Sequence, residues 1–199
     1  MKKSIVVLGS LIAMNSFAFA GGEIVPVSAS PMGTADNSSF YVGLGFSGIS
    51  TRDAASSLNF FNDEAGQDRL VNITLQAGYD YNEYIAFEGR YTTTIARDDI
   101  VEMNGWSIFV KPQYPVTEDF NVYALLGFGG ITLDPASLNY VDVDDNGFQW
   151  GLGASYEITE NISVFADYTN LANDMDGIYG NGALQVDADA LTLGLTYKF

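Results

Sequence analysis

Cysteine and histidine are both absent from this 199-residue chain, and each absence excludes a class of chemistry. Without cysteine there is no disulfide framework and no lipid-modified N-terminal Cys. Without histidine the chain lacks the most frequent general base and a principal transition-metal ligand. Hydrolases and acyl transferases built around a histidine are excluded, and no enzyme is expected. Basic residues are scarce: Lys and Arg number 8 against 25 Asp and Glu, a formal charge of -17. Phosphates would be repelled, so nucleic acid is not a partner. Beyond the first twenty positions no segment approaches the ~20 continuous apolar residues of a membrane helix. Barrel strands escape that test, because their side chains alternate.

What is present begins with an export signal. MKKSIVVLGSLIAMNSFAFA carries Lys2 and Lys3, an apolar run from Ile5 to Met14, and Ala18-Phe19-Ala20 before Gly21. A basic start, a short apolar core and a small-residue cleavage site make residues 1–20 a signal peptide. Its removal takes both lysines and brings the formal charge to -19. Residues 21–38 contain Pro26 and Pro31 with no sustained periodicity and read as an irregular periplasmic lead-in.

The remainder, 39–199, is organised around its last strand, LTLGLTYKF. Leu191, Leu193, Leu195, Tyr197 and Phe199 alternate with Thr192, Gly194, Thr196 and Lys198, so one face is apolar and the other small or polar. The pattern recurs upstream in about seven segments: Phe40–Ser50, Leu70–Asp80, Tyr84–Ala96, a fourth ending near Pro115, Phe120–Ile131, Gly147–Ile158 and Ile162–Leu171. Pro112 lies on the apolar face of the fourth and, lacking an N–H, predicts a bend or bulge there. Long connections at Thr51–Arg69, Arg97–Asn104, Thr132–Asn146 and Ala172–Val186 alternate with short ones at Tyr81–Glu83, Val116–Asp119 and Thr159–Asn161.

This pattern predicts an all-β fold, an eight-stranded antiparallel up-and-down transmembrane β-barrel with short periplasmic turns and long extracellular loops. A soluble lipocalin-like barrel shows the same alternation but would bury the apolar face. Two aromatic groups argue for the membrane. Phe40, Tyr79, Tyr114, Phe120, Tyr156, Tyr197 and Phe199 fall at the turn ends of their strands, and Trp106, Phe128, Phe148, Trp150 and Tyr168 nearer the loop ends. Two such girdles are expected at two headgroup layers.

The chain resembles the small eight-stranded outer-membrane barrels of Gram-negative bacteria, such as the N-terminal domain of outer-membrane protein A and the opacity-type adhesins. FYVGLGFSG, WGLGASYEITENISVFADYT and LTLGLTYKF carry the resemblance, which covers about Ser39 to Phe199. It implies residence in the outer membrane, contact with lipid and lipopolysaccharide, and recognition of Tyr197 and the terminal Phe199 by the assembly machinery. No peptidoglycan-binding segment follows the barrel, so an anchoring role is not implied.

Two sets of residues are candidates for chemistry. Glu88, Arg90, Lys111, Glu157, Asp167 and Lys198 fall on the inward faces and sum to zero, which predicts a salt-bridged plug, with a narrow ion path as the alternative. Glu88 and Lys111 are expected to face each other, and Arg90 and Asp167 to meet across the lumen. Asp142, Asp144 and Asn146 open a D-x-D-x-N-G sequence like that of a calcium loop. The twelfth position is Gly153, where a bidentate Glu is needed. A loosely bound divalent cation is the most this loop offers, and no other cofactor is expected. The functional expectation is a structural or adhesin-like role, with the acidic loops Thr51–Arg69 and Thr132–Asn146 meeting a host or surface ligand. A narrow pore for ions or small solutes is the alternative.

Overall fold

A computed structural model describes residues 38–53, 58, 60, 67–97, 101–135, 143–176 and 185–199. The signal peptide and all of the lead-in except Ser38 lie outside the described residues. The strands are β1 (Ser39–Asp53), β2 (Gln67–Asn82), β3 (Ile85–Arg97), β4 (Val101–Pro115), β5 (Phe120–Pro135), β6 (Val143–Glu157), β7 (Ile162–Asp176) and β8 (Gln185–Lys198). Each pairs antiparallel with its neighbours in sequence, and β8 returns to β1, closing the barrel. Closure pairs Val42 with Tyr197 and Leu44 with Leu195, and the Phe199 N–H donates to the Phe40 carbonyl at 2.9 Å. Among the described residues no sheet edge remains, as a hydrocarbon solvent requires.

Local chemistry fixes the three short turns. The Asn82 side chain accepts hydrogen bonds from the N–H groups of Tyr84 and Ile85, which turns β2 into β3. Thr117 and Thr159 use their hydroxyls in the same way, accepting from Phe120 and Ile162. The turns thus lie where the sequence places them, although the first is centred on Glu83–Tyr84.

The outer wall is apolar. Phe46, Leu75, Ile108, Leu126, Leu152 and Leu193 point away from the lumen and are exposed. Aromatic pairs mark the two ends of this belt. Phe40 packs on Tyr79 and Tyr197 on Phe199 at the turn end, with Trp106 on Phe128 and Trp150 on Tyr168 at the other. Along β4 the belt runs from Trp106 to Tyr114, which at ~3.3 Å per residue and a ~40° tilt spans about 20 Å of membrane height. Such barrels carry a band of about 25 Å.

Two expectations need correction. Strands extend further on the loop side than the alternation indicates, so β5 reaches Pro135, β6 starts at Val143, β7 continues to Asp176 and β8 starts at Gln185. Above the lipid belt the outer face no longer meets lipid, and backbone pairing persists without an alternating pattern to report it. At Pro112 the β4–β5 ladder omits Lys111 and Pro112, then resumes at Gln113 opposite Tyr123 in unchanged register. The proline removes rungs without inserting a residue. Register shifts occur instead in the β2–β3 and β7–β8 ladders.

Candidate functional site

The lumen of an eight-stranded barrel is just wide enough for side chains to fill it, and here they do so in layers. Glu88 and Arg90, two apart on β3, share the inward face. The Arg90 guanidinium donates through Nε to Glu88 at 2.6 Å and spans the lumen to Asp167 on β7 with two bonds of 2.9 and 2.7 Å. Lys111 on β4 reaches the other Glu88 oxygen at 3.2 Å. It does so diagonally, since Lys111 faces Ala86 and Glu88 faces Phe109; the expectation that the two directly oppose each other is corrected. All four charged side chains are buried.

Two tyrosines that the sequence reading did not assign to the site complete it. Tyr41 donates to Glu88 at 2.5 Å and Tyr123 to Asp167 at 2.9 Å. Their rings also flank the Lys111 ammonium, at 5.1 and 4.2 Å from their centroids. Each buried carboxylate therefore meets at least one cation and one hydroxyl, as desolvated ions require. Glycine makes the room: a Cβ at Gly78 would strike the Tyr41 ring, and one at Gly153 would meet Tyr123 and Asp167. The only signal in the sequence was the placement of each tyrosine on an inward face that also carries two glycines, Gly43 and Gly45 beside Tyr41 and Gly127 and Gly129 beside Tyr123.

Towards the loop end comes a layer of hydroxyls. Ser47 bonds Thr74 and Thr192 at 2.7 and 2.8 Å, and Thr74 bonds Thr92 at 2.9 Å. Beyond them Ile49, Leu70, Met103, Ile131, Ala188 and Ala190 form a buried apolar cluster inside the barrel. Within the lumen, and among the described residues, Asn72 has no partner for either amide atom, and the Gln76 and Gln149 carbonyl oxygens have none.

Towards the turn end the lumen widens into an open cavity of about 730 Å³. Lys198 lies here, 3.5 Å from Asp80, a carboxylate absent from the expected inward set. Ser39 and Gln113 also donate to Asp80. Glu157 lines the same cavity, apart from the buried charge layer, and has no ion-pair partner among the described residues. At the rim, Glu83 accepts a hydrogen bond from the Tyr84 hydroxyl, which together with its charge raises that phenol above the usual tyrosine range.

The acidic sequence on the loop side is arranged differently. Asp142 lies outside the described residues. Asp144 and Asn146 stand on β6, exposed, opposite Thr132 and Gly130 of β5, and Asp144 accepts from the Thr132 hydroxyl at 2.6 Å. An extended, paired backbone does not wrap a cation as a calcium loop does. Among the described residues no three acidic side chains converge to hold a metal. A second polar group on this rim was hidden in stretches read as loops or ends. Arg52 pairs with Asp187 at 3.1 Å and with Asp189, which also accepts from Tyr168 and Asn170. Tyr197 and Phe199 sit exposed at the turn end of the outer wall.

An apolar belt between aromatic girdles, enclosing a polar and ion-paired interior, defines a transmembrane β-barrel. The chain belongs to the outer membrane protein beta-barrel domain family, which matches residues 16–199, and its place is the outer membrane. Among curated proteins none matches the sequence. Several solved structures share the fold. Ail, the attachment invasion locus protein of Yersinia pestis, superposes with a TM-score of 0.57 at 16% identity, covering 81% of this chain and 99% of that one. Neisserial surface protein A gives 0.54 at 17%, covering 80% and 97%. The N-terminal barrel of Pseudomonas aeruginosa OprF gives 0.51 at 14%, covering 79% and 97%. Identities this low speak for the fold alone.

Proposed function

We propose that this barrel is a closed scaffold and that its function is surface interaction, made on the extracellular side by its acidic loops. The observation that carries the reading is the filled lumen. A fully paired charge layer lies below an apolar cluster, and an ion crossing the barrel would have to displace both. Ail is described in complex with a heparin analogue, a polyanion. The charge of this chain, -17, favours cationic partners instead. Lipid contacts the belt, and Phe199 and Tyr197 at the strand end serve insertion by the assembly machinery.

One observation favours the alternative of a narrow pore. Amide atoms buried without a partner among the described residues, as at Asn72, Gln76 and Gln149, are ordinarily met by water, so the middle of the lumen is polar enough to be wetted. Conductance in a planar bilayer separates the two. Folded, inserted protein is expected to be silent, and discrete openings that change in Arg90→Met and Lys111→Met variants would overturn the closed scaffold. Cells displaying the barrel with residues 54–66 and 136–142 replaced by Gly-Ser turns should adhere several-fold less to host cells. Unchanged adherence would remove the loops from the reading.

A further inference from the structure

The expected inward charges sum to zero, but the lumen observed does not. Asp80 joins the set, giving four carboxylates (Asp80, Glu88, Glu157, Asp167) against three cations (Arg90, Lys111, Lys198). Glu88 and Asp167 are taken by Arg90 and Lys111, and Asp80 by Lys198. Among the strand residues the uncompensated charge is on Glu157, half-buried and facing inward, and Glu83 and Glu118 of the turns add to it at the rim. Glu157 lines the cavity of about 730 Å³ at the periplasmic mouth, within the 300–1,000 Å³ usual for small-molecule sites.

We propose that this cavity binds an extended organic cation of the linear polyamine class, with Glu157 as its principal anchor. The cavity is blind, because the buried charge layer forms its floor. Tyr41 and Phe165 lie at that floor, the hydroxyls of Ser155, Ser163 and Thr196 line the wall, and Glu118 stands at the rim. The carboxylates come from different strands and turns. A hard divalent ion needs six to eight oxygens converging at about 2.3–2.6 Å, and no three acidic groups converge among the described residues. Charge spread along a cavity matches instead a ligand whose ammonium groups are spaced by methylenes. The hydroxyls accept from such groups, and the aromatic faces receive the chain between them. An anion would meet the unpaired carboxylate, with both lysines already engaged.

Spermidine is the probe, titrated calorimetrically into the micelle-embedded protein at low salt, with and without magnesium. One saturable site is expected. Glu157→Gln should weaken it at least 10-fold. Ser163 pairs with Glu157 across β6 and β7, so Ser163→Lys supplies a tethered ammonium and should abolish binding. Asp144→Asn, on the outer wall, should leave it unchanged. Absence of saturable binding to the unaltered protein would overturn the proposal. So would equal weakening by Glu157→Gln and Asp144→Asn, which would indicate diffuse acidity. Displacement by equimolar magnesium would indicate a site for inorganic cations and overturn it as well.

Discussion

The two halves of the lumen close the same barrel by opposite means. The periplasmic half uses a buried layer of ions, Glu88, Arg90, Lys111 and Asp167, each answered by a specific partner at a specific distance. The extracellular half uses Ile49, Leu70, Met103 and Ile131, whose contacts depend on shape and volume. An apolar layer tolerates conservative change, since a neighbour of similar size fills the space. An ion layer does not, because removing one member leaves another charged and buried. The periplasmic half should therefore be the more brittle of the two toward single substitutions.

Arg90→Met tests this most severely. It leaves Asp167 with hydroxyl partners only and Glu88 with Lys111 and Tyr41. Truncating one member of a buried ionic set costs about 3–5 kcal/mol. Denaturant unfolding of the micelle-embedded barrel should show a loss of that order. A loss below about 1 kcal/mol would mean that water already solvates this layer.

Met103→Ala is the matching change in the upper half. Met103 is fully buried, and the lost side chain leaves a cavity, for about 2–3 kcal/mol at the lower end of the usual range. Met103→Leu, which keeps the volume, should recover most of it, and the same unfolding measurement reads both. If the leucine variant were as unstable as the alanine variant, the upper half would be as exacting as the lower and the contrast would fail.

The outer wall was legible because lipid imposes a period of two. Phe40, Val42, Leu44 and Phe46 face out as expected. The inward partners were legible as a set of faces and not as a set of pairs. Alternation fixes which side a residue takes but carries no information about its height against a neighbouring strand. That is why Lys111 lies two residues off Glu88. Asp80 escaped the inward charge set because it sits at a strand end, next to a turn, where a carboxylate reads as solvated. Arg52, Asp187 and Asp189 escaped because the strands continue beyond the lipid belt, where polar residues on both faces read as loop.

The smallest effect belongs to Lys198, and it bears on whether burial or charge governs the lower half. Lys198 forms an ion pair like Lys111 does, but its side chain is 42% exposed at the mouth. Water screens that pair, and exposed pairs contribute about 0–1 kcal/mol. Lys198→Met should therefore leave the unfolding midpoint almost unchanged, where Arg90→Met lowers it strongly. It should also release Asp80 into the cavity beside Glu157. Polyamine binding would then tighten while stability stays constant, an outcome that calorimetry and unfolding read independently. A large stability loss in Lys198→Met would show that the mouth is as desolvated as the charge layer above it. The brittleness of the periplasmic half would then extend through its mouth, with desolvation of the remaining charge as its cause.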